Sequence, residues 1–257
     1  MLAICSDSLK GYGLNRIFKI VKEAGYDGLD LNVDPKNFDT QDPDYIKTLV
    51  DQYQLPVLAI STPITSSAKK IQTAVDMAKT LGTKVVVIQP PKIFDFQYST
   101  WLKNEIPKIR QRENISIALE NAPSETFLGI IPEHSMNNVI DLKKFKHVCV
   151  DTTRVATRKE DLIRIYKTLK PYLVHVHISN VKNGTPYSPP ETGILPIESF
   201  LTKLKQDGFP GTISMKINPK FMDLENETKL KKRLEELKKY HETYFLNIKT
   251  LKSSEAS

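Results

Sequence analysis

The sequence predicts one α/β domain, a closed (β/α)8 barrel, from three observations. Short runs rich in Val and Ile alternate with helix-period runs eight times over. The short runs are bounded by Gly, Pro, Asn or Asp, as buried parallel strands are. The chain has 257 residues, close to the ~250 residues at which eight βα units close on themselves. Alternation implies parallel strands with right-handed crossovers. An open doubly wound sheet fits the same alternation, but closure leaves no unpaired edge.

In chain order, strands are expected over residues 2–6, 28–33, 56–62, 84–90, 115–121, 148–151, 173–180 and 212–218. Helices are expected over 14–24, 43–53, 67–81, 100–112, 138–144, 161–169, 197–206 and 226–245. Gly25, Gly82 and Gly208 follow apolar-periodic segments and read as residues that end helices. Pro196 reads as a first helical residue. No linker divides the chain, so residues 1–250 are assigned to the barrel and 251–257 to a disordered tail.

With 40% hydrophobic residues the chain can bury a real core. The formal charge is +7, from 37 basic and 30 acidic residues. Lys229, Lys231, Lys232 and Arg233 cluster, but Glu235 and Glu236 interrupt them at once. A solvated lysine-rich face accounts for this better than a nucleic-acid surface. Cys5 and Cys149 lie in apolar runs without a CxxC pair, as in a reducing compartment. No signal peptide or membrane span is read, so a cytoplasmic protein is expected. A homo-oligomer is left open.

Alternate strand residues point into a barrel and out towards its helices. In the fifth strand Ile115, Ile117 and Leu119 are assigned outward, and Ser116, Ala118 and Glu120 inward. In the sixth, Cys149 and Asp151 share the inward phase. In the seventh, Val174, Val176 and Ile178 are assigned outward, leaving His175 and His177 inside; in the eighth, Ser214 and Lys216 point inward. Glu120, Asp151, His177 and Lys216 therefore converge at the C-terminal mouth, where barrel enzymes act. Two readings remain: a functional site, or a polar plug in which Lys216 bridges Glu120 and Asp151. Asp30, Asn32, Ala59, Ser61 and Gln89 are weaker candidates for the same cavity. Residues 181–195, with Glu191, form a long connection of the kind that covers barrel mouths. Arg154 is either a substrate anchor for carboxylate or phosphate or an ordinary surface arginine. Cys149 reads as a core thiol. There is no Walker loop, GxGxxG or GxSxG.

Nearly the whole chain resembles the xylose isomerase-like TIM-barrel superfamily of sugar-phosphate isomerases and epimerases, which also includes endonuclease IV. The resemblance runs through IVKEAGYDGLDLN, LGTKVVVIQPP and ISIALENAP. It is densest in VCVDTTRVA, VHVHISN and ETGILPIESFLTKLKQDGFPGTISMKINP. It implies a sugar or sugar-phosphate isomerase or epimerase that moves a proton on a small carbonyl-bearing polyol. It also implies a divalent metal (Mn, Zn or Mg) held by Glu, Asp, His and a second Glu. Glu120, Asp151 and His177 fill three of those positions, with Glu120 also the acid–base residue. Lys216 stands in the fourth, as a replacement cation, a second base or a Schiff-base lysine. Arg154 stands where the family carries a His, and Asn180 where an Asp often follows the late-strand His. His175, Asn180, Arg154 and Glu191 are the expected substrate-binding residues. The alternative is a catalytically degenerate barrel that binds a small ligand or a partner. Endonuclease IV-like repair is disfavoured, because five His in total leave too few at the mouth for three metals.

Overall fold

Eight parallel strands close into a ring in the computed structural model, which describes residues 1–63, 67–123, 125–127 and 130–246. They are β1 (Leu2–Cys5), β2 (Gly28–Asn32), β3 (Val57–Ser61), β4 (Val85–Ile88), β5 (Ser116–Glu120), β6 (Val148–Asp151), β7 (Leu173–Ile178) and β8 (Thr212–Met215). Each pairs with its sequence neighbours, and β1 pairs with β8 to complete the barrel. The helices are α1 (Leu14–Glu23), α2 (Pro43–Tyr53), α3 (Ala68–Leu81), α4 (Phe96–Glu113), α5 (Val139–Phe145), α6 (Thr152–Thr157), α7 (Leu162–Leu169), α8 (Ile197–Gln206) and α9 (Glu227–His241). The expected tail at 251–257, and the assigned barrel end at 250, lie outside the described residues.

Local chemistry explains most helix starts. The side chains of Asp42, Ser67, Asp95, Asn138, Asp161 and Asn226 each accept a hydrogen bond from a backbone N–H in the first turn that follows. Pro196 sits just before α8 rather than in its first position. The helix expected over 100–112 begins earlier, at Phe96, because Asp95 caps it. The expected helix over 226–245 ends in a π-helical turn, Glu242–Leu246.

The main core lies between strands and helices. Phe18, Tyr166 and Phe200 are its largest fully buried side chains. A second, smaller apolar cluster fills the lower barrel interior: Val87, Ala118 and Cys149, with Val85 and Val174 packed against it. Strict alternation predicts Val174 outward; it packs against the interior cluster instead. The register shifts between Val148 and Cys149, which pair with Leu173 and His175, so Val174 is the extra residue of a bulge. Alternation resumes at His175, leaving both histidines inward.

Two further departures shape the mouth. A short helix, α6, directly follows β6. The expected 173–180 strand stops at Ile178, and the chain turns into a hairpin pairing Asn180–Lys182 with Thr185–Ser188. Asn183 and Gly184 take positive φ at its tip (+49° and +74°), the conformation a two-residue hairpin turn requires. Among the described residues no helix is long and apolar enough to cross a membrane.

Candidate functional site

The ends of β5, β6, β7 and β8, with Gln89 just after β4 and the first turn of α6, supply one continuous polar network at the C-terminal mouth. Glu120 ends β5, Asp151 ends β6, His177 lies near the end of β7 and Lys216 directly follows β8. Lys216 Nζ donates to Glu120 Oε1 (3.1 Å) and Asp151 Oδ2 (3.0 Å) and lies 3.3 Å from His177 Nδ1. The bridge expected of a polar plug is therefore present.

Arg154 comes to the same place by a local device. Asp151 Oδ1 accepts the Arg154 backbone N–H (3.1 Å) and so caps α6. The turn swings the guanidinium back over the barrel. Its Nη1 donates to Glu120 Oε2 (2.7 Å), Gln89 Oε1 (2.7 Å) and the Asn121 carbonyl (2.9 Å), and its Nε donates to the Tyr187 hydroxyl (3.3 Å). Arg154 is thus buried, not a surface arginine. Gln89 Nε2 donates to Glu120 Oε2 as well.

Beneath this layer, Asp30 on β2 accepts from both histidines: His177 Nε2 at 2.8 Å and His175 Nε2 at 3.1 Å, while Ser61 Oγ donates to its other oxygen (3.0 Å). His177 Nδ1 faces Glu120 Oε1 in a short contact. With a carboxylate on each ring nitrogen, His177 is held as an imidazolium donating on both sides. Burial opposes its charge, as does Lys216, but the carboxylates of Glu120 and Asp30 outweigh them, holding the pKa well above the ordinary value. His175 goes the other way: burial dominates, its pKa is lowered, and Nδ1 has no partner.

The same balance sets the other groups. Burial alone would raise the Glu120 pKa, but Arg154, Lys216 and His177 hold it well below the carboxylate range. Burial would lower the Lys216 pKa, yet Glu120 and Asp151 push it well above 10.5. Burial would raise Asp30, and the charged His177 ring outweighs it, so Asp30 stays ionised. Burial pushes the Cys149 thiol up to about 11, consistent with a core thiol rather than a nucleophile.

Above the network lies a cavity of about 520 Å³. Lys216, Arg154 and Gln89 face it from below; Tyr187, Asn218, Asn32 and Lys10 line its sides. Glu120, Asp151 and His177 do not line it. Their side chains are 0% exposed, whereas that of Lys216 is 19% exposed. A ligand therefore meets the Lys216 ammonium, the Arg154 guanidinium, amides and the Tyr187 phenol, with Asp7 and the Lys10–Asp34 ion pair also on the lining, a polar surface suited to oxygen-rich groups.

Not every expected residue reaches the cavity. His175 lies in the layer below, bound to Asp30. The Asn180 amide is consumed by its own loop: Nδ2 donates to the Pro190 and Leu195 carbonyls (3.2 Å each), and Oδ1 accepts from the Val181 and Leu195 amides. Glu191 pairs with Arg233 on α9, away from the mouth. Tyr187 lines the cavity without being a sequence-predicted site residue. Its only sequence signal is its place in a Pro-flanked loop, because the hairpin that delivers it is set by pairing.

The residues that would hold a divalent metal are Glu120, Asp151 and His177, whose ligand atoms lie within 4.8 Å of one another. They do not fit one as they stand, because the Lys216 ammonium occupies the space between them. Two other groupings exist among the described residues: Cys149 with His175 and His177, and Glu125, Glu133 and His134 in the connection after β5. His147 lies before β6 and His241 on α9.

Residues 18–240 match the family model described as xylose isomerase-like TIM barrel. An uncharacterized protein of Mycobacterium leprae is 22% identical over 261 residues, covering 89% of this chain and 92% of that one. Among solved structures, a D-psicose 3-epimerase crystallised in the presence of D-fructose superimposes with a TM-score of 0.73 at 11% identity, over 95% of this chain and 99% of that one. The IOLI protein with a binding zinc atom gives 0.71 at 16% identity, again over 95% and 99%. At these identities the structural likeness speaks to the fold.

Proposed function

Because the chain belongs to the xylose isomerase-like TIM-barrel family, we propose that its mouth binds a small polyhydroxylated carbonyl compound, a sugar or sugar phosphate, without the proton-transfer chemistry of an isomerase. One observation carries this reading: the cavity is floored by Lys216 and Arg154, while Glu120 is sealed beneath them. A general base must reach the carbon-bound proton and have a pKa near the working pH. Glu120 meets neither condition, and Lys216, held protonated by two carboxylates, is neither a base nor a free amine for Schiff-base formation. Two cationic groups beside a phenol and several amides do suit hydroxyl, carbonyl and phosphate oxygens.

A second reading, isomerisation or epimerisation with Glu120 as the acid–base group, is favoured by the partial exposure of Lys216. A ligand oxygen that accepts from Nζ weakens its hold on Glu120 and frees that carboxylate to act. The two readings separate in one experiment. Ketoses, aldoses and their phosphates are titrated calorimetrically, and the bound ones are incubated in D2O and followed by proton NMR. Binding without carbon-bound deuterium uptake supports the first reading. Uptake that disappears in Glu120→Gln establishes the second. If no compound in the series binds, both readings fall.

A further inference from the structure

The inner network carries its own replacement for a metal ion. We propose that Lys216 is a built-in cation that takes the place of a divalent metal at the barrel mouth, so that this site works without one. The inference is independent of which ligand the cavity takes.

The geometry is specific. Three donor atoms that would make a metal site converge on one point: Glu120 Oε1, Asp151 Oδ2 and a ring nitrogen of His177. Lys216 Nζ lies at that point, 3.1, 3.0 and 3.3 Å from them. These are ammonium distances; zinc would need about 2.0–2.2 Å to the same nitrogen and oxygen atoms. A metal and an ammonium cannot share the space.

Charge leads to the same conclusion. Lys216 and Arg154 already place an ammonium and a guanidinium against Glu120 and Asp151, whose carboxylates are fully buried. A dication set among the same oxygens would lie beside both cationic groups, a repulsion that a low-dielectric interior does not screen.

His177 makes the substitution most visible. A metal-bound imidazole donates its remote N–H to a carboxylate. Asp30 stands in that position on Nε2 (2.8 Å). The opposite nitrogen, which would hold the metal, instead faces Glu120 and the lysine. The supporting shell of a metal site is therefore present, with its centre filled by a side chain.

The test measures metal directly. All proteins carry Glu133→Gln, which removes the separate Glu125, Glu133 and His134 grouping. After chelator dialysis, Mn2+ and Zn2+ are titrated calorimetrically and thermal melting is followed with and without metal. The chain with Lys216 is expected to bind no equivalent at this site, and its melting is expected to be indifferent to chelator. Lys216→Glu is expected to bind about one equivalent, through the two-Glu, Asp and His set it completes, and to melt higher with metal. Lys216→Met, which removes the ammonium without adding a ligand, is expected to bind about one equivalent more weakly, through three protein ligands. One equivalent bound by the Lys216 chain and lost in Asp151→Asn overturns the proposal. So does failure of both folded variants to bind either metal. Should neither variant fold, the titration of the Lys216 chain alone decides.

Discussion

Replacing Arg154 with Met tests the buried network most directly. The substitution keeps the length of the stem but removes a guanidinium whose side chain is 6% exposed and which contacts Glu120 at 2.7 Å. Glu120, 0% exposed, is left with Lys216 and His177 as its charged partners. Removing one partner of a buried ion pair costs about 3–5 kcal/mol, because the other charge stays behind uncompensated. For a domain of this size that is a fall in melting temperature of roughly 6–20 °C. The pH dependence has a definite sign. Glu120 is held below its ordinary value of 4.5, so its stabilisation is fully present above that pH and is lost as pH falls through the folded-state value. Without Arg154 the folded-state value rises towards 4.5, so the gap between variant and parent is widest at neutral pH and narrows in acid. The assay is chemical denaturation at several pH values, for Arg154→Met, Glu120→Gln and the double variant. The pair is expected to couple by roughly 2–3 kcal/mol, as direct contacts do. Additive effects, or an Arg154→Met protein that melts with its parent at neutral pH, would refute the network as described.

Further outcomes follow from single contacts. At neutral pH, nitrogen-15 NMR is expected to show both ring nitrogens of His177 protonated and His175 as a neutral ring with hydrogen on Nε2, since only that nitrogen faces Asp30. A neutral His177 would refute the reading that the carboxylates on its two ring nitrogens hold it charged. Because its folded-state pKa is raised above 6.5, the stability His177 contributes is complete below that pH and falls as pH rises through the folded value. Cys149, pushed up to about 11, and Cys5, pushed up to about 12, are both fully buried; a thiol reagent is expected to label neither until the chain unfolds, and rapid native labelling would contradict their burial. Gly193→Ala is expected to cost about 1–3 kcal/mol, since Gly193 has φ +123° and an added Cβ would lie 2.5 Å from Asn180 Oδ1; an unchanged melting temperature would show that the loop adapts freely.

The sequence alone determined the barrel and the inward phase of its late strands. Both are local properties: eight strand–helix alternations, and a two-residue period that places Glu120, Asp151, His177 and Lys216 on one side. Even the bridge from Lys216 to both carboxylates followed from where those strands end. What depends on pairing between distant segments was not legible. The bulge that turns Val174 inward comes from the β6–β7 register. Tyr187 is a mouth residue only because a hairpin returns the chain to the cavity, and the burial of Arg154 comes from Glu120 and Gln89 on other strands. Asn180 and Glu191, chosen for their place in the sequence, are taken up by neighbours in the loop and on α9. Asp30 is 147 positions from His177, yet its carboxylate fixes the charge of that ring. A side chain's protonation and exposure are set by whichever atoms closure of the barrel brings against it. The tertiary structure therefore decided that Glu120 is sealed and Lys216 is what the cavity meets.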